Sequence, residues 1–233
     1  MPELASGLIY YIVFLFSTTL HEAAHAWAAL RGGDPTAYHG GQVSLDPRPH
    51  VRREPFGMLI LPLLSVAASG WPVGFASAPY DPAWAMRYPR RAALMALAGP
   101  SANLLLAIVS FGVIRLGFYA GWFGAPDSVR FGHVLVATGG GWMPAAAFMV
   151  GAFFCMNLAL AVLNMIPLPP LDGSAVIPLF LTESASGRYQ RFLWTRPFLS
   201  ILGMLFAWRA FGYVFEPIFV LAANLLFPGV RYS

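Results

Sequence analysis

The stretch Leu20-His21-Glu22-Ala23-Ala24-His25-Ala26-Trp27 puts three ionisable side chains near the end of an otherwise apolar run from Leu4 to Leu30. A carboxylate and two imidazoles inside a hydrophobic span persist only when they are paired, face water or bind a metal. The spacing favours the metal. Histidines at i and i+4 share one helix face and can hold one zinc ion through their ring nitrogens, and a glutamate directly after the first can take a proton from the attacking water. This is the H-E-x-x-H pattern of metalloproteases. The bland alternative is a chance pattern on a buried helix, and the cost of burying these groups weighs against it.

Hydrophobic residues make up 58% of the chain and charged residues 10%, against roughly 25% charged in soluble domains. The expected class is therefore an all-α integral membrane protein. It should have about four transmembrane helices plus a re-entrant or hairpin segment, with short extended loops. With no long polar block, residues 1–233 read as a single unit. All fourteen basic residues are arginines, and they are spread over short inter-helix loops rather than gathered on one face, so nucleic-acid binding is excluded as a reading. A lone cysteine, Cys155, permits no intrachain disulfide.

Leu4 to Leu30 covers 27 residues, about 40 Å as a helix, enough to cross with some tilt. Arg31 marks its end, and His25 lies roughly 9 Å inside that boundary. Residues 32 to 55 read as a polar loop with strand-like alternation over 40–47. Phe56 to Ala76 is apolar but broken by Pro62, Gly70 and Pro72, and arginines flank it on both sides, so it should enter and return. Residues 92 to 119 form the next span, in which Gly99, Ser101 and Ala102 permit close helix approach and Asn103 wants an interhelical partner. An exterior loop over 120–141 precedes the span Trp142 to Leu163. Residues 174–196 read as a mixed basic loop. Pro197 to Phe227 is one long kinked span or a span with an interfacial tail, in which Arg209 and Glu216 read as an ion pair. Ten of the fourteen arginines fall on one side of this layout, which the positive-inside bias makes cytoplasmic. Trp27, Trp71, Trp84, Trp122 and Trp142 are expected as interfacial anchors, and His50 as a solvated loop histidine rather than a gating group.

A catalytic zinc site keeps one position open, so two histidines need one further protein ligand. Asp172 is the candidate, following the proline-broken stretch Asn164-Met165-Ile166-Pro167-Leu168-Pro169-Pro170-Leu171. Non-helical backbone at membrane depth is tolerated only where it is buried in protein or lines a wet cavity. Taken alone, a carboxylate after a turn is as readily a cap.

His21-Glu22-Ala23-Ala24-His25 together with Asn164 to Gly173 resembles the paired signatures of the site-2 protease family of intramembrane zinc metalloproteases, H-E-x-x-H and N-x-x-P-x-x-x-L-D-G. Gly99-Pro100-Ser101-Ala102-Asn103 is similar to that family's intervening small-residue motif. The resemblance implies zinc held by His21, His25 and Asp172, Glu22 as catalytic acid and base, and Asn164 holding the substrate or its developing oxyanion; in the mechanism expected from these residues Asn103 would join Asn164 in donating to that oxygen. It implies a catalytic core over about 4–173 with a C-terminal helical region over 174–233. The substrate would be a transmembrane protein or peptide in the lipid bilayer. The location would be a bacterial cell membrane, with the site near the cytoplasmic face. Extended segments 40–47 and 70–80 would pair with an unwound substrate by edge addition. Leu45-Asp46-Pro47 departs from the Leu-Asn-Pro of compact members. No stretch has room for the PDZ or CBS domains of larger ones, so a bare core is expected. No oligomeric state is fixed.

A metal-ion or proton transporter using the same polar residues is the rival class. Zinc uptake without peptide cleavage would favour it, while the absence of an internal repeat and the glutamate beside His21 argue against it. A zinc protease with a glutamate third ligand is a weaker rival, because neither Glu183 nor Glu216 is followed by a histidine three residues on. An inactive relative that sequesters membrane segments would not need Glu22.

Overall fold

The structure, a computed structural model, describes residues 3–233. Helix α1 (Glu3–Gly32) contains the whole first apolar run. It stops at Gly33, whose φ of 99° suits only glycine. The next amide, of Asp34, bonds back to the Ala29 carbonyl at 2.9 Å and closes the end.

The loop expected over 32–55 contains two short helices, α2 (Thr36–His39) and α3 (Pro47–Arg53). No strand forms over 40–47. Asp46 accepts the Arg48 amide at 3.0 Å and Pro47 sits at the first helical position, so capping prevails over the alternation. His50 is buried, not solvated, and bonds the Ser44 carbonyl at 3.0 Å, locking α3 onto the preceding turn.

A π-helical turn, Phe56–Ile60, runs into α4 (Leu61–Ser69), which Gly70 ends with φ 73°. The chain then returns extended to Asp81, its Phe75 amide bonding the Gly57 carbonyl at 3.1 Å. A Cβ on Gly57 would overlap that strap, so only glycine allows the approach. Residues 56–76 therefore double back to their start.

Helix α5 (Pro82–Arg87) leads to α6 (Pro89–Tyr119), where Pro89 starts the helix three residues before the expected span and takes Arg90 and Arg91 into the first turn. The exterior loop carries a two-stranded antiparallel ladder, β1 (Phe123–Gly124) on β2 (Val136–Ala137), and buries Phe123, Val134 and Leu135. Helix α7 (Met143–Asn164) is followed by the proline turn, α8 (Asp172–Val176) and a 3-10 turn, Ile177–Phe180. The basic loop expected next is mostly α9 (Glu183–Trp194), started by the Thr182 side chain. Helix α10 (Phe198–Leu226) runs unbroken through Pro217.

Four helices, α1, α6, α7 and α10, are long and apolar enough to cross a membrane. α1, α6 and α7 pack together at the centre, and α10 lies at the periphery with few of its residues buried. Tyr10, Phe14, Phe148 and Met156 seal α1 to α7. Ile114, Phe154, Phe215 and Phe219 join α6, α7 and α10. Two of the five tryptophans expected as anchors pack against other parts of the chain instead, Trp71 half-buried and Trp84 buried. Trp71 is wedged between Tyr10 and Phe131, and Trp84 is buried with its indole donating to the Gly32 carbonyl at 3.1 Å. Arg209 and Glu216 form no ion pair, because positions seven apart on α10 are two turns distant.

Candidate metal centre

His21 and His25 project from one face of α1, and their rings sit edge to face at 4.6 Å between centroids. Each ring is fixed through Nδ1 by α6. His21 Nδ1 donates to Asn103 Oδ1 at 2.5 Å, and His25 Nδ1 to the Met95 carbonyl at 2.7 Å. With the proton on Nδ1, each Nε2 keeps a bare lone pair, the tautomer a metal ligand needs.

Both Nε2 atoms point at one place. They lie 2.9 Å apart, and Asp172 Oδ2 stands 3.1 Å from His21 Nε2 and 3.4 Å from His25 Nε2. Three acceptor atoms converge, an arrangement that a cation between them would stabilise. Their separations suit three ligands around one ion with bonds of about 2.0–2.2 Å.

The sequence places Asp172 there through two features. The proline turn after α7 redirects the chain, and Asp172 is the first residue of α8. Gly173 follows because a Cβ would overlap the carbonyls of Met165 and Ile166, against which α8 is pressed. Gly99 of α6 acts likewise, since a methyl group there would overlap the Nε2 atoms of both histidines.

A cavity of about 740 Å³ opens onto the cluster. Glu22 faces it, and Glu22 Oε2 is buried without a hydrogen-bond partner among the described residues. Asn164 lines the cavity too, as does the extended strap Val73–Ala78. Asn103 stands elsewhere. It is fully buried behind His21, and its amide nitrogen donates to Asn157 Oδ1 at 2.9 Å and the Ser17 carbonyl at 3.4 Å, leaving nothing directed into the cavity.

The sequence description of peptidase family M50 matches residues 9–204, from α1 into α10 and across every group just described. The chain belongs to peptidase family M50. Similar M50 proteins include the candidate zinc metalloprotease YwhC of Bacillus subtilis (strain 168), 34% identical over 175 residues, covering 71% of this chain and 66% of that protein. The candidate zinc metalloprotease Rip2 of Mycobacterium tuberculosis (strain ATCC 25618 / H37Rv) is 36% identical over 179 residues, 76% of this chain and 59% of its own. Rip2 of Mycolicibacterium smegmatis is 31% identical over 163 residues, 69% of this chain and 52% of its own. The chain thus spans between about half and two thirds of the length of these relatives. No solved structure gives a significant match.

One group behind the cluster escapes sequence reading. Asn157 of α7, fully buried, donates to Ser17 Oγ at 2.9 Å and accepts from Asn103, so α1, α6 and α7 meet in one amide network behind His21. The available signal was a lone amide in the middle of an apolar helix.

Proposed function

We propose that this M50 chain is a zinc-dependent endopeptidase that hydrolyses peptide bonds in or near transmembrane segments of other membrane proteins. The observation carrying the proposal is the convergence of His21, His25 and Asp172 on one point beside an unpartnered, buried Glu22 carboxylate. Zinc, when bound there, supplies Lewis acidity that brings the pKa of water down to about 7.

The rest is the work of this chain's own residues. Glu22 takes the proton from the attacking water on Oε2 and returns it to the leaving amine. Asn164, which lines the cavity, is placed to donate to the oxygen that becomes negative as the carbonyl turns tetrahedral. Asn103 and Asn157 act one step back by holding the His21 ring. The cavity is lined mainly by apolar side chains, as a membrane segment would require, and the strap at Val73–Ala78 offers an extended edge along it. The arginines flanking α1, α3, α5 and α9 support a position near the cytoplasmic face of a bacterial membrane. Residues 1–233 then act as one unit, with the core ending near 173.

Purified protein in detergent should bind one zinc per chain and cleave a transmembrane test substrate. Cleavage should be lost on chelation and lost in Glu22→Gln with zinc still bound. Full proteolysis by Glu22→Gln would sink the reading, and zinc uptake into vesicles without cleavage would favour a transporter.

A further inference from the structure

The histidines and the aspartate of the cluster are held in different ways. Each imidazole is fixed through its Nδ1 to α6, at Asn103 Oδ1 and at the Met95 carbonyl. The Asp172 carboxylate has no such brace, since its only side-chain partners among the described residues are the two rings it faces. Its position therefore follows that of its backbone, and that backbone opens α8, a helix of five residues. A helix this short is not stable by itself, because so few of its backbone groups find partners within it.

The sequence removes one partner more. In a continuing helix the Ser174 carbonyl would accept the amide of the fourth residue on, which is Pro178 and has no N–H. The chain tightens there into the 3-10 turn Ile177–Phe180, and Ser174 is buried away from solvent. The Tyr189 hydroxyl of α9 takes the role of the missing amide, donating to the Ser174 carbonyl at 2.9 Å. One turn earlier on the same face of α9, the fully buried Ser186 donates to the Pro178 carbonyl at 3.4 Å. Tyr189 also lines the cavity onto which the cluster opens.

We propose that Tyr189 is a positioning residue for the metal centre, whose hydroxyl sets the zinc affinity of His21, His25 and Asp172 by completing α8 in place of the amide that Pro178 lacks. This rests on the zinc-peptidase reading, and it extends the site into the chain beyond residue 173. A phenylalanine ring at 189 keeps the packing and removes the donor alone. The Ser174 carbonyl is then buried without a partner, and α8 moves to find one. Asp172, two residues earlier on the same short helix, moves with it, while the histidines stay where α6 holds them. The loss falls on the third ligand.

A double-mutant cycle on the full-length chain in detergent, titrated with zinc against a chromophoric chelator, tests this. Tyr189→Phe should lower zinc affinity about tenfold, the lower end of what groups orienting a metal ligand account for, with helix content unchanged. Pro178→Ala supplies the missing N–H, so in that background Tyr189→Phe should leave the affinity nearly unaltered. With cobalt(II) in place of zinc, Tyr189→Phe should show the weaker visible absorption of a centre that has lost four-coordination, and the double variant should regain it. Wild-type affinity in Tyr189→Phe overturns the proposal, and so does an equal loss in both backgrounds. If Tyr189→Phe alone folds poorly, Pro178→Ala and the double variant decide: matching affinities support the proposal, and a tenfold gap between them overturns it. A wild type that binds no zinc defeats the proposed function together with this inference, whereas a wild type that binds zinc no more tightly than Tyr189→Phe defeats this inference alone.

Discussion

His21 Nδ1 and Asn103 Oδ1 face each other at 2.5 Å across the α1–α6 contact, and Asn157 of α7 braces that amide from behind at 2.9 Å. The ring is thereby held by two helices other than its own. Asn103→Ala would leave the Nδ1 proton and the Asn157 oxygen unmet in a buried site, at about 1–3 kcal/mol for each unsatisfied group. Groups that orient a metal-binding histidine typically account for 10–100-fold in affinity. Zinc affinity should therefore fall by about that factor while helix content stays constant, as read by chelator competition and circular dichroism. An unchanged affinity would remove Asn103 from the site.

Gly99 offers a steric test of the same site. A single methyl group at this position would overlap both Nε2 atoms, whereas at Gly112 on the same helix it meets nothing. Gly99→Ala should abolish zinc binding and cleavage without unfolding the chain. Gly112→Ala, relieved of glycine's cost within a helix, should be neutral or stabilising by about 0.5–1 kcal/mol. Metal content and melting temperature measured on both variants separate a local clash from a general sensitivity of α6. Normal zinc content in Gly99→Ala would contradict the packing described.

Much of the centre is legible without coordinates because a charge inside an apolar span has few reasons to be there. His21, Glu22 and His25 stand out on that ground and by spacing, whereas Asp172 comes from the count of zinc ligands and from the resemblance of Asn164 to Gly173 to a family signature. Asn157 is not legible, since its meaning depends on Ser17 and Asn103, which lie 140 and 54 positions away in the chain. Asn103 is legible as a residue needing an interhelical partner but not as one facing away from the cavity. That direction is set by how α6 is rotated against α1. Among the connections, residues 40–47 alternate like a strand, yet the Asp46 cap and Pro47 decide the outcome as a helix start. His50 and Trp84 lie in polar surroundings by sequence and are buried by tertiary packing alone. The ends of the spans shift by a few residues for a related reason, because Pro89 can begin a helix that hydropathy would begin later.

Asp34 fastens the end of α1 to the strap. Its carboxylate accepts from the Thr36 amide at 3.0 Å, from the Thr36 hydroxyl and from the Asp81 amide at 2.8 Å. Burial raises its pKa, but these donors prevail and hold it below its ordinary value. A depressed pKa in the folded state means the stabilisation is complete above the unfolded value, about 3.9, and is lost as pH falls through the folded one. Asp34→Ala should cost about 1–3 kcal/mol at neutral pH. Its melting temperature should approach that of the wild type as the pH drops below about 4. Thermal unfolding in detergent between pH 3 and 8 measures the gap, and a gap that stays constant across that range would exclude the carboxylate as its origin.

Ser77 is where the strap along the cavity is tied to α3 and the turn before it. Its carbonyl accepts from Gln42 Nε2 at 3.4 Å and Arg53 Nε at 3.2 Å, while its hydroxyl donates to Glu54 Oε1 at 2.5 Å. None of these groups touches the histidines or Asp172, so loosening them should disturb how a substrate segment is seated rather than the chemistry applied to it. Ser77→Ala leaves the Glu54 oxygen without its donor, and Glu54→Gln replaces a charge-assisted bond with a weaker neutral one. Both should raise KM several-fold with a smaller change in kcat, and both should speed amide exchange across residues 72–81 while zinc content stays at one per chain. A fall in kcat alone, with exchange over the strap unaltered, would mean that Ser77 does not set the strap's position.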